Sequence, residues 1–227
     1  MFKDKGFQVI RNAISADLVD HLITMIDFHK DECYRSKRPT EMHPYPWRDT
    51  QIEECFAAYS PSYGDSILKN LRGKLSEITD TELVECYSYA RIYYKGADMV
   101  KHVDRPSCEI SATLALKKVN DWPIFIRDED DNDYGIKLNP GDLMVYRGNI
   151  LAHWREELQE DYHYQMFLHY VDKNGPYAVE NEYDGRDALG SNNRVREAVF
   201  GSLETNERLI KLQMEIAEDE QRKREAK

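Results

Sequence analysis

The chain has 227 residues, with 31 basic against 42 acidic side chains and a net charge of −11 at pH 7. That length can bury a full core in one domain, and the acidic balance disfavours nucleic acid as a partner, because phosphate contacts need a basic surface. The N-terminus MFKDKGFQVI is charged and has no long apolar run, and Cys33, Cys55, Cys86 and Cys108 form no CxxC pair, so neither export signal nor membrane anchor is expected and the thiols read as the reduced cysteines of a cytoplasmic protein.

In chain order, GFQVI at 6–10 alternates as a short strand does. Ser15 then reads as an N-cap, with Asp17 in the first turn of a helix over 16–30 whose stripe is Leu18, Leu22, Met25 and Ile26. Residues 31–65 are polar and broken by Pro39, Pro44, Pro46 and Pro61, which predicts a long loop. Loops of that length in a compact domain often serve as lids, and His43, Tyr45 and Trp47 would reach a ligand from it or pack on the core. A second amphipathic helix is predicted over 65–79, with Ile67, Leu68, Leu71, Leu75 and Ile78 on its apolar side.

After Asp80 the period changes from helical to alternating. Strands are predicted at 83–94, 99–104, 108–116, 122–128, 134–138, 142–146, 151–155 and 163–171, separated by turn residues such as Lys95-Gly96, Asn139-Pro140-Gly141 and Arg147-Gly148-Asn149. The resulting fold class is mainly β with flanking α-helices, a double-sheet jelly roll of the cupin type. In this division 1–80 is a helical support and loop of the same domain, 81–172 is the jelly-roll core, and 173–227 is a loop followed by a charged helix. The acidic run Asp128–Asp133 lacks the downstream Glu of an EF-hand and reads as a solvated turn rather than a calcium loop. The last helix carries only a thin stripe, Leu209, Leu212 and Ile216 with Met214 to one side. Packing on the domain, pairing with a second copy and fraying all remain open for it.

The chemistry concentrates at RIYYKGADMVKHVDRPSCEISAT (91–113) and GDLMVYRGNILAHWRE (141–156). On a strand, residues i and i+2 share a face, so His102 and Asp104 can turn to one ion, and His153 supplies a second imidazole. Two imidazoles and one carboxylate with open positions suit non-haem Fe(II). His29-Lys30-Asp31 repeats the pattern at the end of a helix, where the two side chains diverge by roughly 200°, so it reads as a solvated helix end and not as a site.

The order of these parts, RIYYKG, then HVD, then GD-x-x-x-Y, then a His near the start of the penultimate strand, resembles the 2-oxoglutarate/Fe(II)-dependent oxygenases, and most closely their prolyl-4-hydroxylase-like branch, over roughly 80–172. The resemblance implies a double-stranded β-helix with His102, Asp104 and His153 as metal and catalytic residues. It implies Fe(2+), 2-oxoglutarate and O2 as cofactor and co-substrates, with ascorbate as an auxiliary reductant, and places Tyr93 against 2-oxoglutarate. The reaction implied is hydroxylation of a C–H bond with release of succinate and CO2. The substrate implied is a peptidyl prolyl group, an amino acid or another small molecule; neither nucleic acid nor membrane is expected as a partner, and pairing through the C-terminal helix is one open route to a homo-oligomer.

The family's basic residue for the distal carboxylate of 2-oxoglutarate falls at His163 here, a departure, since an imidazole lacks the bidentate fork of a guanidinium. Arg155, two residues after His153 and on the same face, and Arg91, on the face of Tyr93, are the other candidates. Two further classes stay open: a cupin-like binder of metal or small molecules without turnover, and an interaction module using the jelly roll as a scaffold.

Overall fold

The structure, a computed structural model, describes residues 2–36, 51, 52, 54–118 and 121–190. A single turn of helix, α1 (Phe2–Lys5), leads into β1 (Phe7–Ile10), where the first strand was expected. The next helix, α2 (Ala16–Ser36), starts at Ser15, whose hydroxyl accepts the Leu18 N–H at 3.3 Å. It continues past Lys30 because its apolar stripe does. Val19, Leu22, Ile26 and Cys33 are buried at i, i+3, i+7 and i+14, whereas Leu18 and Met25 are only partly covered.

The long loop expected over 31–65 is therefore shorter than the sequence suggests. A strand, β2 (Cys55–Tyr59), forms inside it, and α3 (Ser62–Thr79) begins directly after Pro61. CFAAY is extended because the next strand offers it a partner along its whole length, from Cys55 opposite Tyr93 to Tyr59 opposite Tyr89, and pairing overrides a weak local pattern. His43, Tyr45 and Trp47, and the lid reading with them, lie outside the described residues. Of the expected stripe on α3, Ile67, Leu68, Leu71 and Leu75 are buried, each contributing about 1.5–3 kcal/mol by leaving water, Ile78 is only partly covered, and Asp65 and Thr79 are buried as well.

The remaining strands are β3 (Leu83–Tyr94), β4 (Met99–His102), β5 (Ile110–Lys118), β6 (Ile124–Arg127), β7 (Asp133–Ile136), β8 (Leu143–Tyr146), β9 (His153–Arg155) and β10 (Tyr162–Asp172). They build two antiparallel sheets, one in the order β1-β8-β5-β10-β3-β2 and the other β4-β9-β6-β7. One face of the larger sheet packs on α2 and α3 through Ile92, Leu114, Val145, Met166 and Leu168. Its other face looks toward the smaller sheet, where Tyr93, Met144, Tyr146 and Phe167 meet Met99, Ile124 and Ile126. The strands of the larger sheet are thus covered on both sides, and the polar side chains among them stand out. Arg91, Ser111, Thr113, His163, Gln165 and His169 are all buried, and by strand parity all lie on the face turned inward.

Beyond β10, where only a loop was expected, the chain makes a helical turn, α4 (Ala178–Asn181), and a 3₁₀ turn (Glu182–Gly185). A buried ion pair then ties the segment after this turn to α3. Arg186 meets Asp65 at 2.7 Å with both side chains almost fully buried, and donates to the Cys86 carbonyl at 3.0 Å. Asp65 also accepts from Ser60, Ser88 and the Gly190 N–H. Within the acidic turn, Asp128 accepts from the backbone N–H groups of Asp130 and Asn132 and from the Tyr134 hydroxyl. No disulfide forms among the four buried cysteines, and no helix among the described residues is long and apolar enough to cross a membrane. The charged helix expected at the C-terminus lies outside the described residues.

Candidate metal and co-substrate site

The two sheets bring the expected cluster together at the open end of β4 and β9. His102 is the last residue of β4 and pairs in register with His153, the first of β9. Asp104 was expected on the same strand as His102 but sits just past its end, in the turn held by its N–H on the Gly148 carbonyl at 2.8 Å. Its Oδ1 lies 3.5 Å from His102 Nε2 and 3.6 Å from His153 Nε2. First-row ions bind nitrogen and oxygen at about 2.0–2.2 Å, which separates neighbouring ligand atoms by about 3–3.5 Å. The three atoms therefore fit one ion.

The ring orientations are fixed from behind. His102 Nδ1 lies 2.7 Å from the Val100 carbonyl and His153 Nδ1 lies 2.9 Å from the Leu151 carbonyl. A carbonyl only accepts, so each Nδ1 carries the proton and each Nε2 presents its lone pair to the cluster. Burial pulls the His102 pKa down, but the Asp104 carboxylate and the Val100 carbonyl outweigh it and raise it overall. Burial also works against ionised Asp104, yet in the absence of an ion His153 and His102, when protonated, hold its carboxyl well below the usual range. Its other oxygen, Oδ2, accepts the Ser111 hydroxyl at 3.3 Å. Gly148 closes against this assembly: a Cβ there would stand 2.5 Å from the Cys108 carbonyl, 2.6 Å from Ser111 Oγ and 2.7 Å from Asp104 Oδ2.

Asp104, Cys108 and His169 also lie close enough to share an ion, but their donors are engaged elsewhere. Cys108 Sγ meets the Tyr87 hydroxyl at 3.1 Å, and His169 Nδ1 meets Ser111 Oγ at 2.9 Å.

A cavity of about 220 Å³ opens over the three ligand atoms, walled by Tyr59, Tyr87, Tyr89, Phe167 and His169 and by Arg91 and Arg105. Arg105 grips Asp184 through both terminal nitrogens at 2.8 and 2.9 Å, over the Tyr87 ring, and the Tyr59 hydroxyl donates to the same carboxylate. Gln51 reaches the other rim, 3.3 Å from His102 Nε2.

Of the co-substrate candidates, only Arg91 lines this cavity, packed among Tyr89, Tyr93 and Phe167 and donating to the Tyr93 hydroxyl at 3.1 Å. Tyr93, Arg155 and His163 gather one layer deeper around Trp122. The Arg155 guanidinium lies 4.4 Å from the Trp122 ring, with the Tyr93 and His163 rings at 4.9 and 5.3 Å. Arg155 is fully buried, and burial lowers its pKa to about 10. It donates to the Trp122 carbonyl at 2.6 Å and to Gln165 Oε1 at 3.5 Å, its Nε has no acceptor, and among the described residues no carboxylate faces it. His163 is committed to Gln165 Oε1 at 2.7 Å.

Sequence reasoning missed the walls. Tyr87, Tyr89, Phe167 and His169 share strand parity with Arg91, Tyr93 and His163, so extending that alternation would have found them. Gln51, Arg105 and Asp184 carry no such signal. The decoy His29 is only partly solvated and does not end its helix: its ring packs edge-on to Phe56 and meets the Tyr63 hydroxyl at 3.2 Å, while the exposed Asp31 turns to Arg35.

Burial, helped by the Arg155 charge, lowers the His163 pKa to about 3, and burial lowers that of His169 to about 4. Both values lie below the unfolded value of about 6.5. As the pH falls, the unfolded chain takes up these protons first. Stability is therefore full above about pH 6.5 and declines below it, by up to about 1.4 kcal/mol per pH unit per ring until the folded value is reached. Melting temperatures should fall steadily from pH 6.5 towards 4.5, and His163→Gln should flatten that slope. An unchanged slope in the variant would assign the acid sensitivity to other groups.

No protein-family model matches the sequence, and no curated protein is significantly similar to it. The fold does have solved counterparts. A prolyl-4-hydroxylase from Pseudomonas putida aligns with a TM-score of 0.59 and 16% identity over 75% of this chain and 95% of its own. HygX from Streptomyces hygroscopicus, solved with nickel and 2-oxoglutarate bound, aligns with a TM-score of 0.60 and 11% identity over 90% and 96%. A prolyl hydroxylase from Trichoplax adhaerens, in complex with a peptide fragment of hypoxia inducible factor, gives 0.53 and 13% over 76% and 86%. What the chain shares with these proteins is its fold, a double-stranded β-helix.

Proposed function

We propose that the protein is an Fe(II)- and 2-oxoglutarate-dependent dioxygenase that hydroxylates a C–H bond of a peptide or small-molecule substrate, releasing succinate and CO2. The observation that carries this reading is the convergence of His102 Nε2, His153 Nε2 and Asp104 Oδ1 while both Nδ1 atoms are spent on main-chain carbonyls. Such a set leaves coordination positions open. Iron held there, with 2-oxoglutarate and O2 as co-substrates and ascorbate to keep it ferrous, supplies the oxidising chemistry.

The chain's own residues supply placement. Asp104 contributes the one anionic ligand, and Ser111 and Gly148 keep its carboxylate from rotating. Arg155 is the anchor for the distal carboxylate of 2-oxoglutarate, since a buried guanidinium that meets no anion among the described residues bears a desolvation cost that a bound carboxylate relieves. It lies two residues from His153 along β9, roughly 6.7 Å away, on the same face. Arg91, which lines the cavity, donates to the hydroxyl of Tyr93 in the layer beneath. A binder without turnover would have no need for this buried cation.

The experiment is to load purified protein with Fe(II) and to measure iron content and succinate release with 2-oxoglutarate, ascorbate and air. One iron per chain with 2-oxoglutarate-dependent succinate is expected. Iron without succinate would make the protein a non-catalytic binder, and neither would leave the jelly roll as a scaffold. His29→Ala should retain full iron content in the same measurement, because His29 is turned to Tyr63 and Phe56. A large loss of metal would transfer a ligand role to that helix.

A further inference from the structure

We propose that Gln165 is the positioning residue for Arg155, and that His163 and Thr113 hold Gln165, so that the distal-carboxylate anchor sits on β9 and a neutral amide–imidazole pair fills its customary place on β10. This rests on the reading of Arg155 as the anchor. Gln165 is fully buried on the inward face. Its Oε1 takes His163 Nε2 at 2.7 Å and Arg155 Nη2 at 3.5 Å, and its Nε2 meets Thr113 Oγ1 at 2.5 Å.

The amide orientation comes from chemistry. A guanidinium nitrogen can only donate, so the group facing Arg155 must be the carbonyl oxygen. That in turn requires the proton of His163 to sit on Nε2. With Nη1 on the Trp122 carbonyl and Nη2 on Gln165, the guanidinium is fixed at two corners while Nε is left without an acceptor. Along β3 the pairing of β10 runs unbroken from His163 opposite Tyr93 to Gln165 opposite Arg91, so His163 and Gln165 project from the same face. His163 stays neutral beside the cation, so the pair adds no second charge to the pocket.

The test uses Fe(II)-loaded protein under anaerobic conditions, with 2-oxoglutarate binding followed calorimetrically, and metal-free protein for the imidazole tautomer by nitrogen NMR. Arg155→Ala should weaken 2-oxoglutarate about ten- to a hundred-fold, the loss of a charge-assisted bond. Gln165→Leu should weaken it about ten-fold, with iron affinity unchanged and the His163 proton no longer confined to Nε2. Gln165→Glu keeps the shape but supplies Arg155 with a carboxylate of its own, and should weaken binding as much as Arg155→Ala does. His163→Gln retains a donor towards Oε1 and should bind within a factor of about two of the wild type, whereas His163→Leu should behave as Gln165→Leu does.

If Arg155→Ala binds 2-oxoglutarate normally, the anchor itself is misassigned. If Arg155→Ala fails to bind but both Gln165 variants bind normally, the positioning role is overturned while the anchor stands. Loss of iron affinity in parallel with 2-oxoglutarate in Gln165→Leu would make Gln165 part of the general packing, which also overturns the role.

Discussion

Asp104→Ala is expected to lose iron binding by more than about a hundred-fold, and turnover with it, while the protein remains folded. Loss of a residue that only supports a metal ligand typically costs 10–100-fold in affinity, and Asp104 offers an oxygen to the cluster directly. It is also the only carboxylate among the three, so the variant leaves two neutral imidazoles facing a dication. The fold has little to lose. The Ser111 hydroxyl that donates to Oδ2 retains the Cys108 carbonyl at 3.1 Å and His169 at 2.9 Å, and the backbone bond from Asp104 to Gly148 does not involve the side chain. Iron stoichiometry by metal analysis, alongside thermal unfolding at neutral pH, checks both halves. An unfolded variant would show that the carboxylate is structural, and a folded one with a full complement of iron would move the site elsewhere.

Gly148→Ala is the second large effect, and it should act on stability and metal together. A methyl group at this position has nowhere to go: its nearest neighbours are a main-chain carbonyl, a buried hydroxyl and the carboxylate of Asp104, all at 2.7 Å or less. The turn cannot back away cheaply, because Gly148 N–H donates to the Glu109 carbonyl at 3.2 Å and its own carbonyl accepts from Asp104 at 2.8 Å. Overpacking of this kind costs about 1–3 kcal/mol, and a chain of this size loses about 2–4 °C in melting temperature per kcal/mol. The displaced Asp104 should weaken iron at least about ten-fold, as for other outer-shell changes. Gly73→Ala makes a useful contrast. It lies on the exposed face of α3 with nothing within 4 Å of the added methyl, and alanine there should raise stability by up to about 1 kcal/mol. If Gly148→Ala melts and binds iron as the wild type does, the turn is softer than its contacts imply.

The sequence was most legible where one physical rule acted alone. The strands after Asp80 could be placed because turn residues bracket alternating segments. The pairing of His102 with Asp104 was legible from their two-residue step, although the turn just past β4, and not an extended strand, is what aims Asp104. The helix α2 runs past its expected end at Lys30 because Cys33, which an aliphatic pattern does not count, continues the stripe of Leu22 and Ile26. β2 could not be read at all. CFAAY has too little pattern of its own, and its extended form comes from lying beside β3. The inward polar residues of β3, β5 and β10 were legible in principle, since Arg91, Ser111, Gln165 and His169 interrupt strands that are otherwise covered on both sides. Asp184 was not. It lies 79 positions from its partner Arg105, in a left-handed turn with φ 54°, and no local rule connects the two.

The tie between Arg186 and Asp65 has a practical consequence for anyone trimming the chain. Judged by its strands, the protein could end at Asp172, where β10 stops. Such a cut would remove Arg186 and the Gly190 N–H from Asp65 and strand a carboxylate that is only 2% exposed. Stripping one partner from a buried pair costs about 3–5 kcal/mol, a large share of the 5–15 kcal/mol that holds a typical domain together. The same cut would release Arg105, the neighbour of Asp104, from Asp184. A shortened version intended for crystallisation or assay should therefore keep every residue through Gly190, and a fusion partner belongs after that point rather than at the end of the last strand.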